Sequence, residues 1–408
     1  MLSQRTIDIV KATAPVLEEH GETLTQHFYK RMFANNPEVA PLFNPAHQRA
    51  GSQQKALAAA ICAYAANIEN LEVLGGAVEL IAQKHASLRI LPEHYPIVGD
   101  NLLASIREVL GAAATEQVIT AWAEAYGFLA EILIGREKQI YSTHERIRNG
   151  WIGFKPFRVV RTVPESEIIT SFYLQPADGG GVPLFKPGQY ITVRISDNRG
   201  QTTMRNYSLS NPPGEDLFRI SVKQEAKGFV SNFLHRSARE GTQIEVGPPC
   251  GEFFIDLTER HERPLMLLSA GVGITPLLSM LLGVLKSQPE REVFFVHGAL
   301  NGRVHAFRDF VRQLAASHSK LRVHYRYNEA TDEDRKMHWH DSEGLIDAEL
   351  LEDMLPDRDA DYYFCGPKPF MVGIYHNLLK WGIPASQVHF EFFGPRQELE
   401  SGEPEPEE

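Results

Sequence analysis

Residues 264–285 read PLMLLSAGVGITPLLSMLLGVL and contain no charged side chain. A run of about 20 apolar residues is long enough to cross a bilayer as one helix. The glycines of GVG and Pro276 stand in the middle of this run, however, and both residue types interrupt a continuous helix. The stretch therefore predicts a buried strand, a tight turn and the start of a new helix, and no membrane span.

Further strands of the same apolar kind follow this stretch. They read VFFVHGA (293–299), LRVHYRYN (321–328) and DYYFCG (361–366), and helical stretches separate them. Apolar strands that alternate with helices are typical of βαβ units and a parallel sheet. Residues 263–400 are therefore predicted to form an α/β domain. The acidic, proline-containing tail at 401–408 is expected to fray.

The segment 149–262 alternates apolar and polar residues. FRVVRTV, IITSFYLQ, QYITVRI and LFRISVKQ are separated by the turn-forming sequences DGGG, KPG, DNRG and NPPGED. Short alternating runs bounded by glycine, proline and asparagine are typical of antiparallel strands. This segment is predicted to be an antiparallel β-barrel.

Residues 1–148 show helical spacing and almost no strand signal. Apolar residues recur every three or four positions in several stripes, and the members that matter below are Phe28, Tyr29, Leu57, Ile81, His85, Leu88, Leu133 and Glu137. The expected fold class is therefore multidomain, with an all-α domain, an antiparallel β-barrel and an α/β domain built on a parallel sheet.

Composition and charge exclude several classes of protein. Hydrophobic residues make up 43% of the 408 residues and charged residues 23%, which is the mixture of a soluble globular chain. The net charge of -11 repels polyanions, and no Lys/Arg-rich run could follow a phosphate backbone, so nucleic acid is not an expected partner.

The cysteines and the N-terminus point to a reducing compartment. Only Cys62, Cys250 and Cys365 occur, and none belongs to a C-x-x-C pair, so neither a disulfide framework nor a zinc site is indicated. The N-terminus carries acidic residues and no apolar core of a signal peptide. We expect a cytoplasmic protein.

His85 is the first candidate for a metal ligand. A histidine on an apolar helix face is, taken alone, more often a partly buried side chain than a ligand. Gln53 lies on an earlier helix, and Phe43 lies in PLFN, a proline-flanked corner between helices. These spacings, together with LTQHFYKRMF, QKHASLRI, HYPIVGDNLL and REKQIY, resemble the globin domain of bacterial flavohaemoglobins.

The resemblance implies a haem b pocket in the first domain. His85 would ligate the iron, Tyr29 and Gln53, with Leu57, would face the bound gas, and Tyr95 and Glu137 would hydrogen-bond around the proximal imidazole. A carboxylate on the far N–H of a ligating histidine makes the imidazole more electron-donating. Taken alone, Glu137 also fits an ordinary position where a helix face turns into solvent.

The barrel segment resembles the ferredoxin–NADP reductase-like family. KPGQY, RNYSLS, KGFVSNFL and VGPPCGEFF follow one another in that family's order. By resemblance, Tyr207 stacks on the flavin of FAD, Ser208 contacts it near its reactive nitrogen and Arg205 pairs with the pyrophosphate. Asn206 stands where the family often has glutamine. The remaining expected FAD residues are Tyr190, Gly228 and Ser231.

The α/β segment carries the expected NAD(P)H residues. LMLLSAGVGITP lacks the third glycine of G-x-G-x-x-G, and a purely structural turn explains its glycines equally well. Thr275 is expected to cap the helix and Pro276 to lie in its first turn. FCGPKPFM (364–371) resembles the same family's second nucleotide motif, which would place Cys365 near the nicotinamide. The expected turn residues are Gly271, Val272, Gly273, Ile274, Thr275 and Pro276.

The closing segment EFFG (391–394) resembles the part of the family that covers the flavin. Glu391 would lie near the hydride path. Sequence does not decide between NADH and NADPH. The expected covering residues are Phe392, Phe393, Gly394 and Pro395.

The resemblance implies nitric oxide dioxygenase activity in a monomer, with O₂ and NO as substrates and NAD(P)H as the reductant through FAD. A lipid in the haem pocket is left open. Two other functions fit the same residues. One is a haem-based O₂ or NO sensor, and the other is a general NAD(P)H-dependent reductase of quinones, ferric chelates or lipid hydroperoxides.

Overall fold

The computed structural model describes residues 2–43, 52–196, 200, 202–258 and 262–392, and of residues 52 and 53 only the backbone. The chain divides into two compact units. The first consists mainly of Met1–Arg146, and the second mainly of Phe154–Val193 and the residues from Asn206 onward. The tail predicted at 401–408 lies outside the described residues.

The first unit is helical. No strand occurs among its described residues up to 146, which confirms the predicted all-α domain. Short 3₁₀ helices occupy Pro37–Leu42, Leu71–Leu74 and Gly111–Ala113. The α-helices are α1 (Gln4–Glu19), α2 (Gly21–Asn35), α3 (Ser52–Ala66), α4 (Gly75–Leu88), α5 (His94–Leu110) and α6 (Glu116–Arg146).

Helix α6 is the only helix in the described residues that is long and apolar enough, by length and composition, to cross a membrane. Core helices of globular proteins can have the same length and composition. In this unit α6 packs against α1, α4 and α5. Trp122, Ala125 and Ile140 are buried along it, and so is the charged residue Glu137.

The first sheet has six strands in the order β4-β3-β6-β1-β2-β5, and the described pairs of β1 with β2 and β6, and of β2 with β5, are antiparallel. Leu209, directly after β4, forms a bridge with Ile220 of β5, which joins the two edge strands. The predicted antiparallel β-barrel is confirmed. A single helix, α7 (Phe229–Ser237), follows β5. The strands are β1 (Lys155–Pro164), β2 (Ile169–Pro176), β3 (Tyr190–Ser196), β4 (Thr202–Ser208), β5 (Phe218–Lys223) and β6 (Gln243–Val246).

The second sheet is parallel, with the order β10-β9-β8-β7-β11-β12. The chain runs outward from β7 to β10 and then returns to the other side of β7, so the strand order reverses between β7 and β11. Ligands bind at such a reversal, outside the carboxyl ends of the strands. The strands are β7 (Leu265–Ala270), β8 (Val293–Ala299), β9 (Leu321–Tyr327), β10 (Ser342–Glu343), β11 (Asp361–Cys365) and β12 (Val388–Glu391).

Helices cover this sheet, and they confirm the predicted α/β domain. The helices are α8 (Ile274–Ser287), α9 (Arg308–Ser317), α10 (Asp332–Met337), α11 (Ala348–Met354) and α12 (Lys368–Lys380). The uncharged run 264–285 forms β7, a 3₁₀ turn at Gly271–Gly273 and α8, as predicted. Helix α8 is apolar on most sides because the sheet covers one side, while Phe253 and Ile255 of the barrel belong to the same buried cluster.

Two histidines are fully enclosed near the carboxyl end of β8. Burial lowers the pKa of His297 from 6.5 to about 3, and burial next to His297 lowers the pKa of His305 well below its usual value. Both imidazoles are therefore neutral in the folded protein at pH 6, whereas the unfolded chain takes up protons below about 6.5.

We expect acid to destabilise this unit. Since the unfolded state binds more protons, the stability from these neutral histidines is present above pH 6.5 and is lost as the pH falls below it, for His297 down to about pH 3. The loss amounts to about 1.4 kcal/mol per pH unit for each histidine. Urea unfolding at pH 7.5 and 5.5 measures it, and His297→Asn is expected to reduce the difference by about 1.4 kcal/mol. An equal difference in the variant and the wild type would contradict the expectation.

Candidate functional site

His85, Tyr95 and Glu137 come together from three different helices of the first unit. His85 is on the last turn of α4, Tyr95 is at the start of α5 and Glu137 is in the second half of α6. The Tyr95 hydroxyl donates to Glu137 Oε1 at 2.5 Å. His85 Nδ1 lies 2.7 Å from the same oxygen and 3.1 Å from the Tyr95 hydroxyl.

The charges in this cluster assign the protons. Glu137 is only 2% exposed, and a buried carboxylate requires hydrogen-bond donors. The pKa of Tyr95 is raised far above its usual value, first by burial and then by Glu137, so the phenol stays a neutral donor. A carboxylate accepts only, so His85 Nδ1 carries a proton toward Glu137. The Nε2 atom is then the ring nitrogen that can ligate a metal, on a side chain that is 31% exposed.

Two tyrosines that sequence reasoning did not single out support this cluster. The Tyr126 hydroxyl donates to the Tyr95 carbonyl at 2.6 Å, and a Cβ at Gly99 would lie 2.6 Å from the Tyr126 ring. The Tyr141 hydroxyl donates to the carbonyl of Ile90. A glycine within a helix carries no sequence signal that it makes room for a distant ring, so only the packing shows these roles.

The residues that the resemblance places beside the bound gas are described in part. The Tyr29 ring packs edge-on to Phe43 at 5.7 Å, and its hydroxyl makes no hydrogen bond with a described residue. Burial raises the pKa of Tyr29 far above its usual value, so it is a neutral phenol. Leu57 is partly buried against the same core. Gln53 lies in α3, but its side chain lies outside the described part of the chain.

The candidate FAD residues lie along and beside β4. All four residues Arg205–Ser208 are half-buried. Asn206 Oδ1 accepts a hydrogen bond from the Thr192 hydroxyl at 3.0 Å, which fixes this amide in the barrel wall. Tyr190 pairs with Cys250 through the backbone. Gly251 has a φ of +109°, and a side chain there would collide with the Tyr190 ring.

The remaining candidate FAD residues form the entry to α7. Gly228 is the N-terminal cap of this helix. The Ser231 hydroxyl accepts from the Glu225 backbone N–H at 3.2 Å and lies 3.3 Å from the Gly228 carbonyl. These two bonds shape the turn that leads into α7.

The turn after β7 approaches the turn after β11 very closely. A Cβ at Gly273 would lie 2.1 Å from the Cys365 carbonyl oxygen, whereas Gly271, with φ +53°, has open space around it. Packing against the Cys365 backbone therefore requires a glycine at position 273. Gly271 and Val272 are the parts of the turn that reach the surface. Ile274 is completely buried in the core.

The predicted cap at Thr275 is wrong. Gly273 occupies the capping position of α8 and no side chain caps this helix end. The Thr275 hydroxyl instead donates to the Val272 carbonyl at 3.1 Å, since Thr275 already lies inside the first helical turn. Pro276 lies in that turn, as predicted.

Cys365 and Glu391 are neighbours at the carboxyl edge of the parallel sheet. They are in register on β11 and β12. The pKa of the Cys365 thiol is raised far above its usual value, first by burial and then by Glu391, so the thiol is neutral. Phe392 is partly buried against the core on the other face of the sheet. Phe393, Gly394 and Pro395 lie outside the described residues.

Three family models match successive parts of the chain. Residues 26–133 match a globin, 162–255 an oxidoreductase FAD-binding domain and 267–376 an oxidoreductase NAD-binding domain. Each range lies inside one of the predicted domains, whose boundaries at 148, 262 and 400 stay predictions.

Curated relatives match along nearly the whole chain. A flavohemoprotein of Rhodopirellula baltica is 48% identical over 406 residues, covering 98% of this chain and 99% of the relative. One from a Burkholderia species is 49% identical over 402 residues, covering 98% and 100%.

Solved structures agree. A flavohemoglobin from Malassezia yamatoensis, with bound FAD and heme, matches at a TM-score of 0.85 and 28% identity, over 96% of this chain and 100% of that one. The FAD/NAD-binding domain of a nitric oxide dioxygenase from Vibrio cholerae matches at 0.53 and 34% identity, over 59% and 99%. The resemblance drawn from sequence is thereby confirmed, and the chain belongs to the flavohaemoprotein family, with a globin joined to an oxidoreductase of the FAD- and NAD-binding kind.

Proposed function

We propose that this protein is a nitric oxide dioxygenase, which converts NO and O₂ to nitrate with electrons from NAD(P)H. The observation that carries the proposal is the Glu137 carboxylate on His85 Nδ1, enclosed with Tyr95. The bound groups supply hydride acceptance by FAD, single-electron delivery to haem iron and the reaction of the two gases there.

The proximal residues hold the iron ligand in one tautomer. Glu137 accepts from His85 Nδ1, so Nε2 carries the lone pair that a metal needs. The second bond, from the Tyr95 hydroxyl, holds the same carboxylate oxygen in place beside the imidazole. An imidazole held in this way donates more electron density than one bonded to a carbonyl or to water, which favours oxidation chemistry over reversible oxygen storage.

The residues around Tyr29 would suit a gas ligand of the haem. The buried Tyr29 phenol is neutral and has no described partner, so its proton is available to a ligand in the pocket. The apolar Phe33 and Phe43 rings pack against the Tyr29 ring.

The reductase residues suit a dinucleotide at the reversal of strand order. The Gly271 turn and the turn after Cys365 lie side by side there. Backbone N–H groups at the start of α8 can bind a pyrophosphate, because the first four N–H groups of a helix lack partners within it. Arg205 on β4 is apt for the phosphates of FAD, since its planar guanidinium makes paired hydrogen bonds to phosphate oxygens.

The experiment that tests the proposal is direct. Protein purified with haem and FAD is mixed with NADH, O₂ and NO, and both NO loss and nitrate are measured. We expect NO loss well above the uncatalysed rate and one nitrate for each NO. NO loss at the uncatalysed rate, in protein whose haem and flavin are both present by absorbance, would reject the dioxygenase.

Glu137→Gln tests the carboxylate itself. The amide keeps the shape of the side chain but removes the negative charge beside His85 Nδ1, so we expect a higher haem reduction potential and NO turnover lower by about tenfold. Reductive titration of the Soret band and an NO electrode measure the two effects. Glu131→Gln, an exposed position on the same helix, is the control and should change neither. An unchanged potential in Glu137→Gln would contradict the role given to the carboxylate.

A further inference from the structure

One row of side chains crosses the parallel sheet at the carboxyl ends of its strands. Ser269 of β7 is in register with His297 of β8 on one side and with Cys365 of β11 on the other. Cys365 is in register with Glu391 of β12. Paired residues of a parallel sheet project from the same face, so these four side chains share one face. Ser269 stands two residues before Gly271, where the turn after β7 begins.

A buried hydrogen bond joins the middle of this row. Ser269 Oγ lies 2.8 Å from His297 Nδ1 and 3.4 Å from the Val296 carbonyl. Ser269 is 0% exposed and His297 is 1% exposed. A buried polar pair of this kind is less favourable than a well-packed apolar pair of the same size, so packing alone gives no reason for it.

The pair extends to the ends of the neighbouring strands. The His297 ring lies 4.5 Å from the His305 ring, and His305 Nδ1 bonds the Tyr327 hydroxyl at 2.8 Å. His305 Nε2 is buried without a hydrogen-bond partner among the described residues. Two residues further, Phe307 adopts φ +61°, a region that is strained for a residue with a side chain. Such costs concentrate at functional sites, and here they lie near the carboxyl edge of the sheet, where the nucleotide is proposed to bind.

We infer that Ser269 and His297 are positioning residues for hydride transfer from NAD(P)H, holding the end of β7 so that the Gly271 turn keeps its place beside Cys365. The inference rests on the reductase half of the proposed function. In the reaction the C4–H bond of the dihydronicotinamide breaks with its electron pair, a bond to the flavin forms and NAD(P)⁺ is left. The rate of such a transfer depends steeply on the approach of the two rings, and a misplacement of about 1 Å costs about a hundredfold.

Ser269→Ala tests the inference in the holoprotein. Bleaching of the flavin by saturating NADH is followed by anaerobic stopped flow, and the Kd of NAD⁺ by calorimetry. We expect the bleaching rate to fall about tenfold while the Kd stays within about twofold, since the turn still binds but holds the ring less accurately. Ser269→Thr, which keeps the hydroxyl, should recover most of the rate. Ser171→Ala removes an equally buried serine bond, to Ser221 at 2.8 Å in the barrel, and should change neither value.

The ¹⁵N spectrum of the histidines gives a readout that does not depend on turnover. Adding NAD⁺ should shift the His297 ring nitrogens in wild type and Ser269→Thr but not in Ser269→Ala. If Ser269→Ala does not accumulate, His297→Asn, which keeps a polar atom near Nδ1, and His297→Leu, which does not, make the same comparison.

Three results would overturn the inference: wild-type bleaching in Ser269→Ala, no recovery in Ser269→Thr, or an equal loss in Ser171→Ala. Flavin bleaching needs neither NO nor the haem. Failure of the dioxygenase proposal and failure of this inference are therefore seen in different assays.

Discussion

Replacement of His85 by alanine is expected to lower NO consumption by at least roughly a hundredfold, because it removes the nitrogen that we propose as the iron ligand. NADH-dependent reduction of ferricyanide should stay within about twofold, since that reaction needs only the FAD- and NAD-binding parts. An NO electrode and ferricyanide absorbance measure the two activities on the same preparation. A loss of NO consumption without a loss of ferricyanide reduction distinguishes a dioxygenase from a general reductase whose globin domain takes no part in the reaction.

Two further variants keep the His85 result interpretable. His20→Ala makes the same substitution at an exposed position at the end of α1 and should leave both activities unchanged. His85→Gly leaves room for free imidazole, and adding imidazole should restore part of the NO consumption if the ring acts as a ligand. Wild-type NO consumption by His85→Ala, or no response of His85→Gly to imidazole in protein that retains haem, would reject His85 as the ligand.

The fold was predictable where local pattern decides it. VFFVHGA at 293–299 matches β8 residue for residue, because a charged residue before it and turn-forming residues after it bound an apolar run that must be buried. The run 264–285 was predictable for a related reason, since glycines and a proline leave a strand and a helix as the only way to bury it. The stripe containing His85 likewise predicted α4.

The elements that sequence did not indicate depend on distant partners. β6 has four residues and β12 has four, and each is a strand only because a neighbouring strand is present to pair with it. The sequence of α7 was recognised as part of a cofactor-binding motif, but its helical structure was not predicted. Thr275 shows the same limit at a helix end, where the position of the cap depends on how the turn packs against Cys365.

The candidate site divides in the same way. Sequence with the family resemblance named His85, Tyr95 and Glu137, and the structure brings their side chains together. Ser269 and His297 had no such signal, since a serine and a histidine inside apolar strands look like ordinary strand residues until register places them side by side. The register between β7 and β8 cannot be predicted from the sequence of either strand alone.

Gly273→Ala is expected to destabilise the protein and to slow flavin reduction, because the turn after β7 has no room for a side chain at this position. The added Cβ would lie 2.1 Å from the Cys365 carbonyl oxygen and 2.4 Å from its carbon, and these are backbone atoms that cannot rotate away. One of the two turns must shift, at a cost of about 1–3 kcal/mol in stability. Because the shifted turn is the proposed nucleotide site, flavin reduction by NADH should also fall, by at least about tenfold.

Gly373→Ala is the matched control for this substitution. Gly373 lies in α12 with nothing within 4 Å of an added Cβ, so the alanine should raise stability by about 0.5–1 kcal/mol and leave flavin reduction unchanged. Urea unfolding and anaerobic flavin bleaching measure both variants. If Gly273→Ala unfolds at the wild-type midpoint and is reduced at the wild-type rate, the two turns do not touch in solution. The hydride site would then have to be sought away from the reversal of strand order, because a turn that moves freely cannot fix the distance between two rings.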